Sequence, residues 1–106
     1  MAKYLIEVSY TSEGAKGLLK DGGSKRRTAS EQAVKNVGGK VEAFYFAFGD
    51  RDAIIIIDAP DHAAVVATSL AVNASGAVHS RTTVLLSPEE IDQAAKKSVQ
   101  YTAPGH

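Results

Sequence analysis

His79 and Arg81 are the residues best suited to acid–base work. They stand two apart in the alternating run Ala77 to Leu86, so a strand there projects both side chains from one face. Histidine titrates near neutrality and arginine keeps its charge, a pair able to relay a proton and hold a carboxylate or polarise a carbonyl. Tyr45 would add a hydroxyl donor and Glu7 a carboxylate, if their strands lie alongside. A polar pair bonded across a subunit boundary is the plainer reading of the same residues, and it stands ahead. Asn73 and Ser75 fall at the end of an Ala- and Val-rich segment, where they could meet a ligand or simply terminate a helix. No Gly-x-Ser-x-Gly elbow surrounds Ser75, which argues against a serine nucleophile. Asp50 and Asp52 flank Arg51 in a turn. Aspartate there normally bonds local amides, and cation binding or base catalysis is the less economical account.

His62, His79 and His106 have no metal-ligand spacing, and no cysteine is present. No metal and no cofactor is expected. Phe44 and Phe46 could line an apolar pocket for a small molecule, although such a stripe more often belongs to a core or an interface. Lys25-Arg26-Arg27 is the one dense basic run, but twelve basic and twelve acidic residues cancel over the chain. That balance removes the simplest case for nucleic-acid binding.

These residues need elements to position them. Two apolar runs, Val41 to Phe48 and Ala53 to Ile57, flank Gly49-Asp50 and predict strand, turn, strand. With a two- or four-residue turn, Phe44 and Phe46 share a face with Ala53 and Ile55. Ala43 and Tyr45 then share the other face with Ile54 and Ile56. Both faces of the isoleucine strand are therefore apolar. Lys3 to Tyr10 alternates as a first strand. A short helix follows from Thr11-Ser12-Glu13, with Ala15, Leu18 and Leu19 as its stripe, and Asp21-Gly22-Gly23 interrupts it. A second helical piece covers Ser24 to Val37, with Ala29, Ala33, Val34 and Val37 inward, and Gly38-Gly39 ends it. Pro60-Asp61 opens a helix that runs to Ser75. Ser87-Pro88-Glu89-Glu90 is a capping box, followed by an Ile91, Ala95, Val99 stripe.

The resulting order is strand, broken helix, strand, strand, helix, strand and an added C-terminal helix. Right-handed crossovers fold it as an α+β, ferredoxin-like βαββαβ sandwich with a four-stranded antiparallel sheet. Residues 1–100 make one domain and residues 101–106 a flexible tail. Two main helices cover one sheet face, so the other exposes isoleucine unless a second copy covers it, which predicts a homodimer or a higher even oligomer. The aromatic residues of the second strand lie at a sheet edge, unlike the central stacking strands of RNA-recognition domains, so no nucleic acid is expected as partner. The aliphatic runs are too short to span a bilayer, and Glu7 arrives before a signal-peptide core could form. A soluble, cytoplasmic protein is the expectation, to which the lack of cysteine is suited.

Three segments also carry a family likeness. Phe44-Tyr-Phe-Ala-Phe-Gly-Asp-Arg-Asp52, Leu70-Ala-Val-Asn-Ala-Ser-Gly-Ala-Val78 and Thr82-Thr-Val-Leu-Leu-Ser-Pro-Glu-Glu90 resemble the GYD-domain family. The Gly and Asp of its signature match Gly49 and Asp52, while Arg51 stands where the family name calls for Tyr. The resemblance implies kinship with dimeric α+β barrels, among them cofactor-independent monooxygenases, lactone isomerases, haem-handling proteins and small stress-responsive proteins. That breadth leaves the activity open. The expectation is a homo-oligomer that binds or senses a small apolar molecule. The alternatives are a cofactor-independent enzyme using His79, Arg81 and Tyr45 on a small carbonyl substrate, and a structural module without a ligand.

Overall fold

A computed structural model describes all residues, Met1–His106. The elements follow the chain as β1 (Ala2–Tyr10), α1 (Ser12–Asp21), α2 (Gly23–Asn36), β2 (Lys40–Phe46), β3 (Ala53–Ala59), α3 (His62–Ala74), β4 (Val78–Leu85) and α4 (Pro88–Ala95). One antiparallel sheet has the order β2-β3-β1-β4, the ferredoxin-like arrangement.

Alternation on β1 and β3 decides which face is dry. Tyr4, Ile6, Val8, Ala53, Ile55, Ile57 and Ala59 are all buried, and with Val34, Val65 and Val78 they make up the core. The intervening residues, among them Leu5, Glu7, Ile54 and Ile56, are half-buried on the face that no helix covers. The register follows the expected parity: Phe44 pairs with Ile55, Phe46 with Ala53, Tyr45 with Ile54 and Ala43 with Ile56. A bulge between Val41 and Ala43 takes Glu42 out of the ladder.

The hairpin itself differs from expectation. β2 ends at Phe46 rather than Phe48, and Ala47 to Asp52 form a longer connection closed by the Ala47 amide donating to the Asp52 carbonyl, 2.8 Å. Asp52 also faces β1: its own amide donates to the Val8 carbonyl, 2.9 Å, which ties the hairpin base to that strand.

The first two helices also pack less than their stripes suggest. Ala15 and Ala29 are exposed and Leu19 is 88% exposed, while Leu18 is half-buried. The residue of α1 that reaches the core layer is Gly14, where an added Cβ would fall 1.9 Å from the Ala77 carbonyl oxygen. Backbone contact there replaces side-chain packing. Thr11 caps α1 by accepting from the Gly14 amide, and its own hydroxyl and amide donate to the Gly76–Ala77 carbonyls. Gly22, at φ 83°, turns the chain between α1 and α2 in a conformation that favours glycine. At α3, Asp61 is the N-cap, its carboxylate accepting from the Ala64 amide, so Pro60 precedes the helix rather than opening it. α4 carries the expected capping box, Ser87 with Glu90, and Pro88 in the first turn, yet none of its residues is buried. No helix is long and apolar enough to cross a membrane.

The two isoleucine parities give a direct test. Ile57→Ala removes a side chain that is 2% exposed and is expected to cost about 2–5 kcal/mol. Ile56→Ala, on the open face, is expected to cost clearly less, read in both cases from urea midpoints at one protein concentration.

Candidate functional site

α2 packs over β2 and α3 over β4, so the two helices lean toward opposite edges of the sheet and part above its centre. The gap is a cavity of about 230 Å³. Its floor is the helix-facing side of β1 and β3, with Ile6, Val8 and Ile55; Phe44 and Val72 contribute walls. Polar groups are few and sit among apolar ones: Tyr10, Arg26, Ser30, Thr68, Ser69, Ser75 and Ser80. This mixture is the usual makeup of a small-molecule site.

Tyr10 is placed by a long-range bond. The Asp52 carboxylate accepts from the Tyr10 amide at 2.7 Å, although the two lie 42 residues apart. Asp52 thus fixes the end of β1, and with it the ring that lines the cavity, rather than bonding amides of its own turn. Burial pushes the Tyr10 phenol above its ordinary value of 10.0 against the lowering influence of the Arg26 guanidinium; the Asp52 charge adds to the rise. Arg26 also lies 3.8 Å from Asp21, which Lys25 shares at 3.7 Å.

Of the residues singled out in the sequence, Phe44 and Ser75 line this cavity. Phe46 stacks edge-on against Phe44, with ring centroids 5.2 Å apart, and faces a shallower recess with Gly23, Ser24 and Arg27. Asn73 is committed to joining α3 to β4: its amide donates to the Ser69 carbonyl and the Ser80 hydroxyl, and its oxygen accepts from the Ser80 amide. The Ser75 hydroxyl donates to the Val72 carbonyl, 2.7 Å, and accepts from the Ala77 amide, which closes the end of α3. Gly49 is exposed at the hairpin tip.

His79, Arg81 and Tyr45 lie on the opposite, open face of the sheet. Arg81 is in register with Glu7, Glu7 with Ile54, and Ile54 with Tyr45; His79 is opposite Ser9. Tyr45 is therefore two strands from Glu7, about 10 Å at the usual strand spacing. These residues share a face without meeting at a point. Glu7 instead has a partner the sequence reading missed: Arg51 folds back from the hairpin, with Nε 3.7 Å from Glu7 Oε2, rather than extending into solvent. At the other end of this face Lys3 bridges Glu42 at 2.7 Å and Asp58 at 2.9 Å, bonds that raise the lysine above its usual value. Tyr4 and His62 were also not foreseen as a pair. The Tyr4 hydroxyl lies 2.7 Å from His62 Nδ1, which satisfies a phenol buried in the core. No group of three or more His, Cys, Asp or Glu is arranged to hold a metal ion.

Sheet order, helix placement and open face together define an α+β protein of the ferredoxin-like class. Within that class the family is also determined: the model of the GYD domain matches residues 4–95, and the chain belongs to the GYD domain family. A search of curated proteins and a search of solved structures each found no match.

Two measurements follow from the Tyr10 environment. In an alkaline absorbance titration, Tyr10 is expected to ionise later than a free phenol, and Tyr10→Phe removes that late component. Because the folded value is the higher one, stability is undiminished below pH 10.0 and falls as pH rises toward the folded value. Asp52→Ala is expected to cost about 1.5–3 kcal/mol, the range for a hydrogen bond to a charged group, and to speed hydrogen exchange at the Tyr10 amide.

Proposed function

We propose that this GYD-domain protein is a homodimer that binds a small, largely apolar molecule in the cavity between its helices and its sheet. The carrying observation is the cavity itself, lined mainly by apolar side chains, with the Tyr10 phenol and the Arg26 guanidinium close to each other among its polar groups. Its volume is roughly that of seven or eight waters, which suits a one- or two-ring compound with a single polar substituent. The ring would lie against Phe44, Ile55 and Val72. The substituent would meet the Tyr10 hydroxyl and the Arg26 guanidinium.

The dimer part of the proposal rests on the open face. Leu5, Ile54, Ile56 and Leu85 are half-buried there and Tyr45 is 69% exposed. The Lys3–Glu42–Asp58 cluster lies at one end and the Glu7–Arg51 pair, with Arg81, toward the other. An apolar centre with a charged rim is the anatomy of a protein interface.

A second reading, a cofactor-independent enzyme of monooxygenase or isomerase type, has one observation in its favour. His79, Arg81, Glu7 and Tyr45 share the face that a partner copy would dehydrate. In that reading His79 is the acid or base, Arg81 holds an anion and Tyr45 donates its hydroxyl.

2-Naphthol separates the two sites. Saturable binding is expected, with amide shifts centred on Tyr10, Phe44 and Val72, and Val72→Phe is expected to abolish it by filling the cavity. Shifts centred on Tyr45 and Ile54, or binding that survives Val72→Phe, would remove the cavity from consideration.

A further inference from the structure

The residues of α2 that are not exposed are Gly23, Arg26, Ser30, Ala33 and Val34. They recur at intervals of three and four, the spacing of an inward helix stripe, which is ordinarily apolar. Here its second position is an arginine. Arg26 lines the cavity beside Ile6, Val8 and Phe44, while its side chain keeps 39% of its surface exposed. It is the one charged residue of the lining, with no Asp, Glu, Lys or His beside it there. The acid it reaches, Asp21 at 3.8 Å, lies outside the lining and is shared with Lys25 at 3.7 Å. Two cations and one anion leave a positive charge at the cavity. Asp52, the other carboxylate near Tyr10, is bonded to the Tyr10 amide and does not line the cavity.

The hydroxyls of the cavity divide into engaged and free. Those of Thr68 and Ser75 donate to carbonyls of α3, and that of Ser80 accepts from Asn73. Thr28 on α2 bonds back to the Ser24 carbonyl in the same way, whereas no such bond engages Ser30, one turn beyond Arg26. Burial holds the Tyr10 phenol above its ordinary value, so it stays protonated, and a donor, at neutral pH. The guanidinium adds a planar fork of N–H groups. Fork and two hydroxyls amount to four donors, and an ionised carboxylate has two oxygens with about four lone-pair sites to accept them. A neutral amide offers one oxygen and brings N–H groups of its own to a cluster already rich in donors. Because Arg26 keeps contact with water, an anion paired with it sits at the cavity mouth. The same anion deeper, among Ile6 and Ile55, would lose its hydration without compensation.

We propose that the ligand of this cavity is a small, flat monocarboxylate, its carboxylate held by the Arg26 guanidinium and the Tyr10 and Ser30 hydroxyls, its apolar body lying against Phe44, Ile55 and Val72. The inference rests on the cavity reading above and adds the charge of the ligand to it. Asp21 keeps Lys25 as a partner when Arg26 turns to the ligand, so binding strands no acid.

Three probes of closely similar shape separate charge from fit: 2-naphthoate, 2-naphthamide and 2-naphthol, each titrated by calorimetry into the full-length protein at neutral pH. Naphthoate is expected to bind at least about tenfold more tightly than naphthamide, the margin of a charge-assisted over a neutral hydrogen bond. Arg26→Gln is expected to bring that ratio to about one, and Arg26→Lys, which keeps the charge without the fork, to restore part of it. Naphthamide or naphthol binding as tightly as naphthoate would overturn the carboxylate assignment and leave the cavity reading standing. A preference for naphthoate that survives Arg26→Gln or Val72→Phe would mean pairing at another basic site, and would overturn it too. Binding of none of the three would remove the cavity reading itself, and the assignment with it.

Discussion

The period-two alternation of β3 is the constraint on which the rest of this fold depends. Ala53, Ile55, Ile57 and Ala59 point into the helix layer, while Ile54 and Ile56 point away from it. A slip of one residue would exchange these sets, and here the hydrophobic pattern resists such a slip only weakly, because both sets are apolar. Register has to be held by other means. The Asp52 amide donates to Val8 and the Asp52 carboxylate accepts from Tyr10, so one residue at the hairpin base clamps β3 to β1 through two bonds. At the opposite end Lys3 reaches Asp58 and Glu42 across β1, β3 and β2. The polar contacts supply the alignment that isoleucine alone leaves undecided.

Burial in this protein is divided between two strategies. On the sheet it is side-chain packing, with Tyr4 and Ile57 the largest fully buried groups. On α1 it is backbone contact at Gly14. This difference explains how a helix with an exposed leucine can remain attached: Thr11 and the Gly76–Ala77 carbonyls fix its start, and Gly22 lets α2 depart at its own angle toward β2. Because α2 and α3 then rest on opposite edges, the central strands are roofed incompletely, and the cavity results from the placement of the helices as much as from the residues that line it.

Strand order, hairpin parity and the α4 cap were legible in the residues because each rests on a local pattern: alternation, a glycine-aspartate turn, or Ser-Pro-Glu-Glu. The cavity was not. Its components come from β1, α2, β2, β3, α3 and β4, and periodicity places Phe44 or Tyr10 on a face without saying how far apart two helices will sit. Asp52 was read as a turn residue since its partner is remote in sequence. Arg51, Glu7 and the Tyr4–His62 pair escaped for the same reason. Leu19 and Ala29 show the converse failure, where a stripe at helical spacing suggested burial that the third dimension does not provide. His79 and Arg81 share a face as their spacing predicts and Tyr45 lies on that face too, but register spaces the three along and across it rather than at a common point.

The helices also give this neutral molecule an uneven charge. α1 is balanced, basic residues outnumber acidic ones on α2, α3 has neither, and α4 carries acids alone. With formal net charge zero and an isoelectric point near 6.8, copies meet without long-range repulsion at neutral pH. What remains is an extended electrical multipole along a 57 Å molecule. Physiological salt screens charge over about 8 Å, so distant copies are electrically indifferent to one another. Orientation is sensed only in the last few ångströms of approach, where adding salt weakens any preference among encounter poses.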